Sequence, residues 1–183
     1  MRTVFVKILI EEARKDSNLF LLTADLGYRA LEEFQEEFPD RIINVGVAEQ
    51  NMIGVATGLA LSGKKVCVYS IVPFVTFRCF EQIRNNISHN NLNIKVIGVG
   101  GGFSYGDQGI SHNTTEDFAV MRTLPNFNIL CPGDKIEAKL VLKAMFNDTK
   151  PAYIRLGKAP NISVYESVPK FNIGEGLTVK EGH

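Results

Sequence analysis

Six short apolar runs, separated by stretches with helical spacing, constrain this chain more than any other feature. NLFLLTAD (18–25), RIINV (41–45), KKVCVYS (64–70), IKVIGV (94–99), FNILC (127–131) and AYIRL (152–156) read as strands. Their apolar residues run together instead of alternating with polar ones, the pattern of strands covered on both faces. Helical stretches stand between them, so each connection can cross over and return parallel and right-handed. The chain is therefore expected to be an α/β protein with a doubly wound, mainly parallel sheet of about six strands and helices on both faces.

The intervening stretches carry their own signals. Val4, Ile8 and Ile10 stand among charges at roughly helical spacing. YRALEEFQEEF places Leu31, Phe34 and Phe38 on one helical face and stops at Pro39. AEQNMIGVATGLALSG reads as a mostly buried helix ending at Gly63, and PFVTFRCFEQIRNNI holds another. A further helix is predicted from about Thr115, and DKIEAKLVLKAMF opens with Asp134 and Glu137 spaced as a capping box. From Gly157 the sequence turns to Pro160, Pro169, Gly174 and Gly176 without helical pattern. Residues 1–157 are thus expected to form one domain and 158–183 a linker, which suggests that more of the protein lies beyond His183.

Composition narrows the partners. Twenty Lys and Arg balance twenty Asp and Glu over 183 residues, so no broad basic face is expected for nucleic acid or anionic lipid. A net charge of zero favours self-association over repulsion. Lys7, Glu11, Glu12 and Arg14 interrupt the apolar start too early for a signal peptide or a membrane span. Cys67, Cys79 and Cys131 are odd in number and lack CxxC spacing, which points away from a disulfide framework or zinc site and toward a reducing, cytoplasmic setting.

Open parallel sheets bind ligands beyond the carboxyl ends of their strands, so the candidates lie there. Glu49, after RIINV, stands in the first turn of an apolar helix. The helix dipole favours a carboxylate there by about 0.3–1 kcal/mol, and the same position could present it to a ring nitrogen. After KKVCVYS come Phe74, Phe77 and Phe80 at i, i+3, i+6; such residues usually pack a core, but Phe74, nearest the strand end, could stack on a flat heterocycle. After IKVIGV comes GGGFSYGDQGISHNTTEDF, long and without helix or strand pattern. It matches neither GxGxxG nor a phosphate-binding GK[ST] loop, but it offers His112 between Ser111 and Asn113, and an imidazole can exchange protons near neutral pH. No metal-ligand set is evident.

Taken in order, NVGVAEQNMIGVATGLALSG, FRCFEQIRNNI, the glycine-rich loop with SHN, MRTLPNFNILCPGD and PAYIRL resemble the pyrimidine-binding domain of transketolase-like thiamine-diphosphate enzymes, over about residues 3–158. The resemblance implies a transferase that moves a two-carbon ketol unit between sugars. It implies that Glu49 hydrogen-bonds N1′ of the aminopyrimidine and promotes the imino tautomer, whose 4′ nitrogen takes the proton from thiazolium C2; the cofactor then acts as electron sink. By the same resemblance Phe74 lies against the pyrimidine, His112 matches the histidine of a THQ-like segment facing thiazolium and substrate, and Asp25 in TADLG matches an aspartate near the cofactor. An aspartate before Gly27 is also what a turn uses.

The family's GDG motif and later Asn, which fix magnesium and diphosphate, have no counterpart here, since GDQG falls in a different loop. Magnesium should therefore be held by a partner diphosphate-binding subunit or domain, in a homodimer or heterotetramer, with a ketose or sugar phosphate as substrate. By the same resemblance the family's C-terminal domain is expected to lie beyond His183. SHN in place of THQ, and Pro73 before the stacking position, depart from the pattern where substrate is chosen. A 1-deoxyxylulose-5-phosphate synthase, a 2-oxoacid dehydrogenase β component and a non-catalytic scaffold of the same fold are the alternatives.

Overall fold

All six predicted strands form, and they pair in parallel. They are β1 (Leu19–Thr23), β2 (Ile42–Asn44), β3 (Lys65–Ile71), β4 (Ile94–Val99), β5 (Asn128–Leu130) and β6 (Ala152–Leu156), in the spatial order β2-β1-β3-β4-β6-β5. The structure is a computed structural model that describes residues 1–157, 164–165, 167–175 and 177–182. Strand order reverses between β1 and β3, so the loops after these two strands flank the crevice where open α/β sheets take ligands.

Successive residues along a strand point to opposite faces, and here both faces are buried. Leu21, Tyr69, Ile97 and Ile154 join Phe5 and Leu9 of α1 (Arg2–Lys15) and Leu142 of α7 (Lys135–Asn147) in one core. Their neighbours Leu22, Val68, Val96 and Tyr153 join Met52 and Ile53 of α3 (Glu49–Leu61) in the other. This explains the unbroken apolar runs. At about 1.5–3 kcal/mol for each large side chain fully buried, these two layers are the main stabilising term.

Several helices differ from the expectation. α2 spans only Glu32–Glu37, with Leu31 as its N-cap, because the chain before it turns through left-handed Arg29 at φ 58°. The predicted Phe74–Phe77–Phe80 helix is broken into α4 (Val72–Val75), a turn, α5 (Phe80–Gln82) and a π-helical stretch at Ile83–Ser88. The Arg78 amide reaches Pro73 O at 3.4 Å, one residue beyond helical register, while the Cys79 thiol takes Phe74 O at 3.3 Å. The three phenylalanines therefore do not share a face; Phe80 packs the second core and Phe77 is exposed.

The helix expected from Thr115 is α6, Asp117–Met121. At α7, Asp134 accepts from the Glu137 amide at 2.8 Å as predicted, but the Glu137 carboxylate takes the Gly133 amide, one residue before the cap. The glycine-rich loop is ordered rather than structureless: Gly102 and Thr114 exchange both backbone hydrogen bonds, at 2.6 and 2.9 Å, and 3-10 turns run over Gly106–Ser111. In the C-terminal segment, Val164 N donates to Asp134, Tyr165 donates to Glu137, and Phe171 and Ile173 pack on the first core. No helix or strand occurs there among the described residues; the linker expectation for 158–163 falls outside them.

No helix among the described residues is long and apolar enough to cross a membrane.

Candidate active site

Backbone geometry at the carboxyl edge delivers Glu49. Val45 N continues the sheet by donating to Thr23 O at 3.0 Å, Gly46 then turns the chain at φ 74°, and α3 starts at Glu49 itself. The helix amides face that end, which favours a negative charge. The side chain is only 2% exposed, and its Oε2 accepts from Arg78 Nη1 at 2.6 Å. No hydrogen bond to Oε1 is seen among the described residues. A buried carboxylate without a partner would cost several kcal/mol, and Arg78, 45% exposed, supplies the compensating charge from the solvent side.

Arg78 also lies over Phe74, its guanidinium carbon 4.6 Å from the ring centre. Phe74 is half-buried in α4, where Pro73 suits the first helical turn directly after β3. Its ring meets that of His112 at 5.1 Å and 69°, and His112 in turn meets Tyr105 at 5.5 Å and 61°. Ser111 Oγ lies 2.9 Å from His112 Nδ1. Three residues nominated from three separate loops, Glu49, Phe74 and His112, are thus joined through Arg78 into one cluster. The arrangement offers a buried acid, an aromatic surface and an imidazole along one rim.

Asp25 has other ties. It is exposed, sits at φ 55°, and exchanges hydrogen bonds with Asn44, whose Oδ1 accepts the Asp25 amide at 2.9 Å. Asp tolerates this left-handed conformation better than most residues, so the turn role is visible in the backbone. Asp25 lines a cleft of about 330 Å³ with Thr23, Gly27, Tyr28, Gln35 and Asn44.

Arg78 and the support beneath the His112 loop were not found from sequence. Arg78 follows Phe74 by four residues, a spacing that flags a pair on an intact helix, but nothing in it points to Glu49, 29 residues away. Under the loop, fully buried Asp117 accepts from Tyr153 Oη at 2.7 Å and Arg155 Nη1 at 2.9 Å. A Cβ on Gly101 would lie 2.1 Å from Arg155 Cδ, and one on Gly100, at φ 75°, 2.1 Å from the Tyr105 ring. These two glycines let the loop close down over Arg155 and bring Tyr105 beside His112.

A buried carboxylate and an aromatic ring, bridged by one flat guanidinium, are the kinds of group an aminopyrimidine could bond and stack against. Among the described residues no group of three or more His, Cys, Asp or Glu is placed to hold a metal ion.

Comparison with known proteins places the chain in a family. The chain is 38% identical to a putative transketolase C-terminal section of Methanocaldococcus jannaschii over 100% of its own length and 58% of that protein. It is 36% identical to an apulose-4-phosphate transketolase subunit of Phocaeicola vulgatus, over 99% of this chain and 59% of that one. Among solved structures, a split gene transketolase described as an inactive beta4 tetramer superposes with a TM-score of 0.86 at 35% identity, covering 99% of this chain and 59% of the other. The chain therefore spans about three-fifths of the length of these relatives. The model of the transketolase pyrimidine-binding domain matches residues 1–160, and the chain belongs to that family.

Proposed function

We propose that this chain is the pyrimidine-binding part of a thiamine-diphosphate-dependent transketolase that moves a two-carbon ketol unit between sugars. The observation that carries the reading is Glu49: an acid buried at the carboxyl edge of a parallel sheet, bonded to the half-exposed Arg78, whose guanidinium also lies over the half-buried Phe74 ring. Thiamine diphosphate, when bound, supplies a nucleophilic carbon and an electron sink. The chain's own residues do the rest. Glu49 would share a proton with a pyrimidine nitrogen, Phe74 would offer the ring a surface, and His112, whose ring meets Phe74, would exchange a proton with substrate oxygen. Asp25, on the loop after β1, lines a neighbouring cleft that holds none of these three residues, and its part in the site rests on the family resemblance.

Magnesium and diphosphate are held by a partner diphosphate-binding subunit in this reading, and the active assembly joins at least one copy of each chain. The relatives named as a transketolase subunit and as a split gene transketolase support that division of labour. The test is a coupled assay of ketol transfer to an aldose phosphate with the chain and such a partner together. Wild type should turn over and Glu49→Gln should lose at least about a hundredfold in kcat with folding intact, the scale of a general acid–base contribution. Turnover by Glu49→Gln at the wild-type rate refutes the catalytic assignment. Pyruvate-dependent condensation in place of ketol transfer would move the chain to the deoxyxylulose-phosphate synthase reading.

A further inference from the structure

We propose that Arg78 is an internal stand-in for the cofactor ring, holding Glu49 and covering Phe74 until the aminopyrimidine displaces it. The inference rests on the site reading above and adds a residue to it. A guanidinium is flat, delocalised, rich in N–H donors and stacks on aromatic faces. An aminopyrimidine shares those traits. The contacts Arg78 makes, a 2.6 Å bond to Glu49 Oε2 and a 4.6 Å approach to the centre of Phe74, are the two assigned to the ring.

Exposure decides which partner can leave. Glu49 is 2% exposed and fixed in the first turn of α3, whereas Arg78 is 45% exposed on the turn between α4 and α5. Arg78 can therefore swing into water at modest cost while Glu49 stays. The other titratable groups around the pair do not substitute for it. Burial first, and then the charge of Glu49, push the Cys79 thiol up to about 12, so it stays neutral. His112 meets the Phe74 ring edge-on rather than the carboxylate.

A proton count follows. A carboxylate bonded to a guanidinium carries no proton, whereas a carboxyl group and a ring nitrogen facing each other share one. Exchange of Arg78 for the ring should therefore draw about one proton from solvent, and the guanidinium keeps its own.

The experiment is calorimetric titration of thiamine diphosphate with magnesium into the chain assembled with a diphosphate-binding subunit. It is run at pH 8 in two buffers of different ionisation heat. Wild type should take up close to one proton more than Glu49→Gln. Arg78→Ala should bind about tenfold tighter, because no internal ligand competes, and Arg78→Lys, which keeps the charge without the flat donor array, should fall between. Should Arg78→Ala prove misfolded by circular dichroism, the lysine variant carries the comparison alone. Equal or weaker binding by the variants overturns the proposal and makes Arg78 a fixed anchor. Absence of binding by wild type and variants alike overturns the pyrimidine-site reading itself.

Discussion

Asp117 is the residue through which loss of one charge should reach the His112 loop. Its carboxylate is fully buried and takes both the Tyr153 hydroxyl at 2.7 Å and Arg155 Nη1 at 2.9 Å. Asn at this position keeps the volume and can still accept from Arg155, and its amide can donate to Tyr153 if that hydroxyl turns its own proton away, but the charge that pairs with Arg155 is gone and the buried Tyr153 donor loses its acceptor. Hydrogen bonds to charged groups contribute about 1.5–3 kcal/mol, and stranding a buried partner of an ion pair costs about 3–5 kcal/mol. Arg155 is 21% exposed and stacks on Phe118 at 4.0 Å, so water and that ring recover part of the loss. The expected destabilisation of Asp117→Asn is then about 3 kcal/mol. At about 2–4 °C per kcal/mol for a domain of this size, Tm should fall by about 6–12 °C in thermal unfolding followed by circular dichroism. Arg155→Met added to Asp117→Asn should restore part of it, because the stranded charge is gone. Amide exchange should quicken in the loop from Gly100 to Thr114, whose first residues close over Arg155. A fall below about 2 °C, or no recovery in the double variant, would refute the reasoning.

Two further substitutions probe separate terms. Burial pushes Lys95 down from 10.5 to about 8, while its ammonium donates to the carbonyls of Asp148 and Lys150. Between about pH 8 and 10.5 the unfolded chain then binds a proton that the folded one lacks, so stability should rise with pH across that window, by up to about 3 kcal/mol. Urea unfolding of Lys95→Met should lack this rise, and an unchanged profile contradicts it. Phe74→Ala should weaken thiamine diphosphate binding by the assembled enzyme about tenfold while lowering stability by less than a full core truncation, since the ring is only half-buried. Unchanged affinity returns Phe74 to a packing role.

Strands were the most legible feature of the sequence because burial on both faces writes itself as uninterrupted runs. Leu21 and Leu22, or Val96 and Ile97, face opposite cores and are both apolar for that reason. Helices were legible where a long amphipathic stretch had a clear cap, as at Asp134. The Phe74–Phe80 stretch misled because periodicity cannot register that the Cys79 thiol takes Phe74 O, nor that Arg78 N slips to Pro73 O. At the site, strand-end position nominated Glu49, Phe74 and His112, since loop location follows from topology. Arg78 and Asp117 were invisible because their meaning lies in partners 29 and 38 residues distant, a separation that only the folded sheet closes.

Whether Glu49 meets the pyrimidine of thiamine diphosphate decides the proposed chemistry. A crystal structure of the chain assembled with a diphosphate-binding subunit, magnesium and the cofactor tests it most directly. The expected result is a Glu49 carboxylate oxygen within about 2.6–3.2 Å of a pyrimidine ring nitrogen, with Phe74 against the ring. A cofactor bound with its pyrimidine elsewhere, and Glu49 still joined only to Arg78, would contradict it.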